Sequence, residues 1–182
     1  KEIGVELAKE FLRLVPGEVI LKFNLHSVIY ESLKVNVSFD SLELIRTTFD
    51  LWIVLIEKTE PFSSKSFLKR SDELLLLLCR DIGIASKIDR IVVFLDSLKS
   101  VLKLMQFCAI RYLRKVVVTL CEVVKENWTS DSVVRAGESA MIVLIQNCWI
   151  RISEDLKGVI LNTFEGNKEV VCLLDSIASG NE

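Results

Sequence analysis

The sequence has few of the residues that interrupt helices and no long uncharged segment. It contains two Pro and seven Gly in 182 residues, and 51% of its residues are hydrophobic. So little Pro and Gly excludes long disordered linkers. The longest stretch without a charged residue, Ser139–Ile150, has twelve residues, whereas a membrane helix needs about 20 predominantly apolar residues. We therefore expect no membrane span, and we attribute the apolar composition to helices buried between neighbouring helices.

Residues that carry out chemistry are equally scarce. His26 is the single histidine, and the seven glycines are scattered one at a time, so the sequence has no Gly-rich phosphate loop. One histidine excludes most Cys/His zinc sites and weakens any Ser-His-Asp arrangement. The sequence therefore predicts a protein that is not an enzyme and that has no cofactor, no metal site and no small-molecule substrate.

Charge and cysteine content restrict the partner and the compartment. The net charge of −2 gives no overall field that would attract nucleic acid or an acidic membrane. The five cysteines form no CxxC motif, and free Cys packs as a small hydrophobic residue. We expect reduced thiols in the helix cores and a cytoplasmic or nuclear location. The cysteines are Cys79, Cys108, Cys121, Cys148 and Cys172.

Apolar residues recur at alternating steps of three and four along almost the whole chain, which is the pattern of helices with one buried stripe. Pro16 ends the first predicted helix, and the turns between later helices are short, as in packed antiparallel helices. The nine predicted helices cover residues 3–14, 18–34, 41–58, 67–82, 87–105, 109–126, 132–149, 154–166 and 168–178.

Several helix ends carry their own signals. Asp40 followed by Glu43 predicts a capping box at the third helix, and Ser153 predicts an N-cap at the eighth. Gly83 predicts a C-terminal cap for the fourth helix, in which Ser71 allows a break.

The third and fifth predicted helices repeat the same apolar stripe. The stripe of the third helix is Leu42, Ile45, Phe49, Trp52 and Ile56, and adding 46 to each number gives the apolar positions 88, 91, 95, 98 and 102 of the fifth. A period of roughly 40–47 residues made of helix pairs is typical of HEAT and armadillo-like arrays. The sequence therefore predicts an all-α, right-handed α-solenoid of antiparallel helix pairs. Residues 1–182 would form one repeat domain of about four pairs plus a leading helix, and because the chain enters an amphipathic helix at once, we expect it to be part of a longer array.

The seventh predicted helix opens like the second helix of a HEAT repeat. Asp131 is placed to accept the free N–H groups of the first turn, and Arg135 to reach an Asp of a neighbouring repeat. Ala136, Gly137 and Ala140 would let the partner helix approach closely.

Six residues are candidates for contact with a partner protein. Arg111, Arg114 and Lys115 share one side of the predicted helix 109–126 by the three-and-four rule. Three aromatic residues near turns, Trp128, Phe107 and Phe62, could serve as exposed anchors and could equally belong to the core. The candidates are Arg111, Arg114, Lys115, Trp128, Trp149 and Arg151. We interpret the basic residues as a solvated outer face. The alternative is a nucleic-acid-binding helical-repeat protein acting in DNA or RNA maintenance, in which Arg111, Arg114, Lys115 and Arg151 converge on one concave stripe.

One segment resembles a known family. Cys148-Trp149-Ile150-Arg151-Ile152 is similar to a Trp-Pro-Arg-Ile segment of the second TELO-two-interacting protein family, with Ile150 in place of Pro. Arg111-Tyr112-Leu113 and Val134-Arg135 fall upstream in similar order, so the resemblance spans about residues 70–165. The resemblance implies a non-enzymatic helical-repeat subunit of the Triple-T co-chaperone complex. That complex binds other proteins and, with the ninety-kilodalton heat-shock chaperone, supports maturation of phosphatidylinositol-3-kinase-related kinases.

Overall fold

A computed structural model of the protein describes residues 2–36 and 41–179, and within these ranges all regular structure is helical. Two short 3₁₀ helices, Gln106–Tyr112 and Trp149–Arg151, occur between longer α-helices. The α-helices are α1 (Glu2–Leu14), α2 (Gly17–Lys22), α3 (Leu25–Asn36), α4 (Leu42–Thr59), α5 (Lys65–Ile84), α6 (Ile88–Met105), α7 (Leu113–Glu126), α8 (Asp131–Cys148), α9 (Glu154–Phe164) and α10 (Lys168–Ser179).

The chain divides into two compact units, unit 1 (Lys1–Glu73) and unit 2 (Leu74–Glu182). In unit 1, α4 packs against α1, α2 and α3. Val5 and Leu12, one face of α1, are each 1% exposed. The Lys58 side chain of α4 donates hydrogen bonds to the carbonyl of Leu12 and, at 3.3 Å, to that of Val15. Since the last carbonyls of a helix have no partner within it, Lys58 both caps α1 and ties it to α4.

In unit 2, α8 packs against α6, α7 and α10, and α7 packs in turn against α9. The even-numbered helices α6, α8 and α10 therefore contact one another in succession, and so do α7 and α9. The apolar core of unit 2 comes from the facing sides of these helices, and Leu98, Val117 and Leu144 are each 0% exposed.

The buried positions of α4 recur in α6 at an offset of 46 residues. Each of the eight buried residues of α4, which lie within Ile45–Thr59, has a buried residue 46 positions later within Ile91–Met105 of α6. Leu42 and Ile88, the first residues of the two predicted stripes, are each 37% exposed. The 46-residue offset expected from the sequence is thus present in the burial pattern. The first stripe residue is the exception in both helices.

The second predicted helix is wrong as a single element. The structure has α2 and α3 there, separated by Phe23 and Asn24. Asn24 has a φ of 54°, a left-handed conformation that Asn adopts more readily than most residues. Its side chain also accepts a hydrogen bond from Ser27 Oγ at 3.3 Å. This local turn breaks a helix that apolar periodicity alone makes continuous.

The fourth predicted helix is longer than expected and has no break. Ser71 Oγ donates to the Phe67 carbonyl at 2.8 Å, which satisfies the buried hydroxyl inside the helix. Gly83 is not a C-terminal cap, because α5 continues through it to Ile84 and its φ is not positive.

The helix predicted over residues 109–126 begins later than expected. Residues Gln106–Tyr112 form a 3₁₀ helix, in which Cys108 and Ala109 are buried, and α7 starts at Leu113. The end at Glu126 is confirmed. The start is wrong because the backbone changes winding where Cys108 and Ala109 turn inward.

The predicted caps have mixed outcomes. Ser153 is confirmed, since its side chain accepts the backbone N–H three residues later at 3.4 Å. Asp131 is wrong as a cap, because it is the first helical residue of α8 and Ser130 precedes it as N-cap. Asp40 lies outside the described residues, and Ser41 caps α4 through its own side chain.

Two glycines allow close approach between helices. A Cβ at Gly137 of α8 would lie 2.5 Å from Val124 Cγ2 of α7, and Ala140 one turn later is 0% exposed. The predicted close packing of α8 through small residues is therefore confirmed. Gly17 is tighter still, because a Cβ there would collide with the backbone carbonyl of Lys58.

Candidate partner-binding surface

Two connecting segments lie at the same end of unit 2. The 3₁₀ helix Gln106–Tyr112 follows α6, and the 3₁₀ helix Trp149–Arg151 follows α8. Asn147 Nδ2 in α8 donates to the carbonyl of Leu102 in α6 at 2.8 Å, so the last turns of these helices lie side by side. Because Gln106–Tyr112 also packs against α8, both connections border one surface.

Three large apolar side chains at this end are exposed. Phe107 is 57%, Trp149 47% and Ile150 71% exposed, whereas their neighbours Cys108 and Cys148 are buried. The first connection therefore turns Cys108 inward and presents Phe107 to solvent. In the second connection no residue is buried, and Trp149 and Ile150 are exposed directly after the buried end of α8. Single exposed hydrophobic residues are ordinary, but several at one place mark interaction sites.

Gln106 holds the first connection in a strained conformation. Its φ of 47° and ψ of −131° lie outside the regions that residues with a Cβ favour. The following 3₁₀ helix has seven residues, longer than the usual three or four. Strain of this kind persists only where the surrounding structure fixes it, so the direction in which Phe107 projects is set by the fold.

Besides Trp149, the four basic candidates named from the sequence lie at this same end. Arg111 is in the first connection, Arg114 and Lys115 are in the first turn of α7, and Arg151 is in the second connection; all four are exposed. Arg111 Nε donates to the carbonyl of Cys108 at 3.3 Å. Arg111 lies in the 3₁₀ helix before α7, so the prediction that the three basic residues share one α-helical face is wrong. The three residues still lie within five positions of one another at the junction of the 3₁₀ helix and α7.

We call this surface the basic–aromatic end of unit 2. Its members are Phe107, Arg111, Arg114, Lys115, Trp149, Ile150 and Arg151. Lys103 in the last turn of α6 adds a further basic group, and Glu154 and Asp155 in the first turn of α9 are its acidic neighbours. Five basic side chains are thus exposed in the segments at this end, in a chain whose net charge is −2.

Trp128 lies at the other end of unit 2. It is 75% exposed in the turn after α7. Since α7 has 14 residues, this turn is about 20 Å from its start. The structure therefore separates Trp128 from the other five candidates. Phe62, a further anchor suggested by its place near a turn, is 46% exposed in unit 1 and packs edge-on against Phe67 at 5.2 Å.

Unit 1 contains a polar cluster around Tyr30 that the sequence did not reveal. Tyr30 is 5% exposed, and its hydroxyl donates to Glu73 Oε2 at 2.7 Å. Tyr30 and Trp52 pack edge to face, with their ring centroids 5.1 Å apart. The charged groups of Arg70 and Lys34 lie 4.3 and 4.8 Å from the Tyr30 centroid. Tyr30 and Glu73 are 43 residues apart in no recognisable motif, so no sequence signal pairs them.

The charges of this cluster stabilise one another. Burial opposes ionisation of Glu73, but hydrogen bonds from Lys34 and Tyr30 and the nearby charges of Lys34 and Lys69 lower its pKa. The bond to Glu73 raises the pKa of Lys34 despite partial burial. Burial, and then the bond and charge of Glu73, raise the pKa of Tyr30 far above its usual range. At neutral pH the cluster therefore holds an ionised Lys34–Glu73 pair and a neutral Tyr30.

A cleft of about 450 Å³ between α3 and α5 borders the Tyr30 cluster. Most charges along it are already engaged, since Lys34 pairs with Glu73, and Arg70 Nε pairs with Glu60 at 2.9 Å. Arg70 Nη1 is buried without a hydrogen-bond partner in the described part of the chain. The mutual pairing makes the cluster a packing element that joins α3 to the first turns of α5.

Four of the five cysteines are buried, and burial makes three of their thiols poor nucleophiles. Cys79, Cys108, Cys121 and Cys148 are buried as expected, but Cys172 is exposed, so its assignment to a helix core is wrong. Burial raises the pKa of Cys79 and Cys121, and that of Cys148 to about 11. Since the thiolate is the reactive form, these three thiols are unreactive near neutral pH.

Other chemical groups remain dispersed. His26 is partly buried in α3, with Nδ1 buried and lacking a partner among the described residues. Within residues 2–36 and 41–179 no group of three or more His, Cys, Asp or Glu side chains could hold a metal ion. Over the same residues, no helix combines the length and apolar character needed to cross a membrane.

Comparison with known proteins identifies the family. The family model named Tti2 family matches residues 1–129, more than two thirds of the chain. No curated protein and no solved structure matches the chain. The match includes Arg111-Tyr112-Leu113 but not Cys148–Ile152, so the predicted family is confirmed through residues other than the segment that most suggested it. The chain belongs to the Tti2 family.

Proposed function

We propose that this protein is a non-enzymatic scaffold that binds other protein subunits within a co-chaperone complex. The observation that carries the proposal is membership of the Tti2 family over residues 1–129. The resemblance described from the sequence implies that this complex is the Triple-T complex. Its clients would then be the phosphatidylinositol-3-kinase-related kinases. The protein would act in the cytoplasm, the nucleus or both.

The scaffold itself would be a right-handed α-solenoid of HEAT-like helix pairs. Two features support this architecture. The burial pattern of α4 recurs in α6 after 46 residues, and within unit 2 alternate helices contact one another in succession. Stacked pairs of this kind form extended surfaces suited to binding other proteins.

The basic–aromatic end of unit 2 would supply one partner contact. Phe107, Trp149 and Ile150 are exposed apolar groups, and Arg111 and Arg151 are exposed basic groups beside them. Aromatic and Arg side chains dominate the binding energy of protein interfaces. Trp128, at the other end of unit 2, lies outside this contact.

The function is tested in the native cell. The chain is tagged, purified and analysed by quantitative mass spectrometry, and the abundance of the kinases is measured after depletion and after re-expression. We expect other Triple-T subunits at near-equal amounts and kinase levels that fall on depletion and recover on re-expression. Kinase levels that do not change on depletion, or trace amounts of those subunits, would contradict the proposal.

The architecture is tested by small-angle X-ray scattering. A globular domain of 182 residues has a radius of gyration of about 16 Å. A curved array of stacked pairs gives a larger value and an asymmetric distance distribution. A radius at the globular value with a symmetric distribution would show a closed bundle.

A further inference from the structure

We propose that the basic–aromatic end of unit 2 binds an acidic segment of a partner protein, whose apolar side chains pack on Phe107, Trp149 and Ile150. This inference rests on the proposed function and specifies the class of partner. Three features of the structure support it: apolar exposure, an excess of basic groups and a fixed backbone.

The apolar part of the surface fits protein anchors. Phe107, Trp149 and Ile150 are 57%, 47% and 71% exposed, and the Asn147–Leu102 hydrogen bond of 2.8 Å holds their two connections side by side. Because apolar surface is driven out of water, these side chains favour a partner that covers them with aliphatic or aromatic groups.

The positive charge of this surface favours a partner segment of negative charge. Arg111, Arg114, Lys115 and Arg151, with Lys103 in the last turn of α6, form an exposed basic group around the apolar residues. No Asp or Glu occurs in residues 97–121 or in residues 139–153. The acidic neighbours are Glu154 and Asp155, on a helix packed against α7. Carboxylates of the partner would therefore meet several Arg groups, which bind them in charge-assisted pairs.

A polypeptide fits this surface better than a nucleic acid. Phe107 and Trp149 could stack on bases, but Ile150, the most exposed of the three, offers no aromatic face. A long polyanion would also extend beyond the basic groups over a chain whose net charge is negative, whereas a short acidic segment need contact only the basic groups.

The surface is held in place before a partner arrives. Cys108 and Ala109 anchor the first connection in the core. The second connection has three residues and follows directly on Cys148, the buried last residue of α8. A surface that is already ordered loses little conformational entropy on binding.

Site-specific crosslinking tests the class of partner. p-Benzoylphenylalanine replaces Ile150 in the full chain in native cells, and the same amino acid replaces Trp128 as the matched exposed position at the other end of unit 2. We expect position 150 to crosslink to one protein segment that mass spectrometry shows to be rich in Asp and Glu with apolar residues between them. A crosslink to a nucleic acid, to a basic or neutral segment, or no yield above that of position 128 would overturn the inference.

Charge reversal tests the role of the basic groups in the purified complex. We expect the double variant R111E/R151E, and separately W149A, to reduce retention of the crosslinked subunit by about tenfold or more. The controls K125E and W128A change exposed residues at the other end of unit 2 and should keep retention within about twofold of the unchanged protein. Circular dichroism verifies that each variant is folded.

The outcomes separate the two proposals. If the unchanged protein retains the complex subunits and R111E/R151E retains them equally, the inference fails and the scaffold function stands. If the unchanged protein does not retain those subunits, the proposed function fails.

Discussion

In unit 1 the long helix α4 buries Phe49 and Trp52, whereas in unit 2 the matching positions of α6 hold Leu95 and Leu98. All four side chains are 0% exposed. Around α4 the aromatic rings are joined by a polar cluster centred on Tyr30. Around α6 and α8 the packing is aliphatic, and small residues of α8 allow close approach.

The comparison separates two properties of a repeated helix. Each buried position of α4 corresponds to a buried position of α6, because the geometry of the neighbouring helices sets which face is covered. The size of the side chain at each position is not conserved, because each neighbouring helix supplies a different complementary shape. A repeat can therefore be recognised by its burial pattern while each unit is stabilised by its own contacts.

The largest expected effect comes from emptying the matched core position in each unit. Trp52→Ala should lower the free energy of unfolding by about 3–5 kcal/mol and Leu98→Ala by about 2–5 kcal/mol, because both leave cavities at fully buried sites. Urea denaturation followed by circular dichroism measures both. The exposed stripe positions provide controls: Leu42→Ala and Ile88→Ala should each cost below about 1 kcal/mol. Equal losses at buried and exposed positions would show that α4 and α6 do not share the same pattern of buried positions.

The close approaches in the two units should respond differently to a methyl group. Gly17→Ala should cost about 3 kcal/mol, because the obstacle is the rigid backbone carbonyl of Lys58. Gly137→Ala should cost about 1–2 kcal/mol, because Val124 can shift and Ala favours the helix interior by about 1 kcal/mol over Gly. Gly83→Ala is the control, since nothing lies within 4 Å of its Cβ position, and it should stabilise. A larger loss at Gly137 than at Gly17 would contradict this ranking.

The Tyr30 cluster should make the stability of unit 1 depend on pH. The matching core positions of unit 2, Leu95 and Leu98, are aliphatic and should add no such dependence. Tyr30→Phe should lower the free energy of unfolding by about 1 kcal/mol at neutral pH, because it removes the hydroxyl that donates to Glu73. Glu73→Gln should cost a similar amount, about 1 kcal/mol, because it removes the charge that pairs with Lys34. The folded pKa of Glu73 lies below its ordinary value of 4.5. Its contribution is therefore present above that value and is lost as the pH falls through the folded pKa.

The measurement is chemical denaturation of the unchanged protein and of Glu73→Gln across the acidic range. The difference between the two should shrink below the ordinary pKa of 4.5. A difference that stays constant down to about pH 3 would show that Glu73 gains nothing from its partners on folding.

The smallest expected effect on stability is at the exposed tryptophans of unit 2. Trp128→Ala and Trp149→Ala should each change the free energy of unfolding by about 0.5 kcal/mol or less, because both side chains are substantially exposed. Thermal denaturation by calorimetry measures this. A clear loss for Trp149→Ala alone would mean that it fills a gap between α8 and α9, which is a structural role for the basic–aromatic end.

Sequence reasoning identified helices well where periodicity and caps agree. Ser153 caps α9 as expected, and the stripes of α4 and α6 are buried from their second residue onward. It failed where a local turn or a tertiary contact overrides periodicity. Asn24 breaks the second predicted helix by a left-handed turn. Gly83 failed as a predicted cap because its φ is not positive and α5 continues through it to Ile84.

The candidate surface was predictable only in part. Arg111, Arg114, Lys115, Trp149 and Arg151 were all selected from the sequence, and the alternation of antiparallel helices places their segments at one end. Phe107 was also an exposed candidate because it lies near a turn, and it is exposed. The exposure of Ile150 was not predictable, because an apolar side chain that ends a buried stripe looks identical in sequence to one that continues it. The Tyr30 cluster was missed because its partners come from helices whose contact no local pattern encodes.

The distribution of thiols in the fold has a practical consequence. Cys172 is exposed on α10, while the other four cysteines are buried, three of them with a raised pKa. A maleimide dye applied to the folded, unmodified protein should therefore attach at Cys172 alone. The chain thus carries its own single labelling position, and a fluorophore there could report a partner arriving near α10 without any engineered mutation.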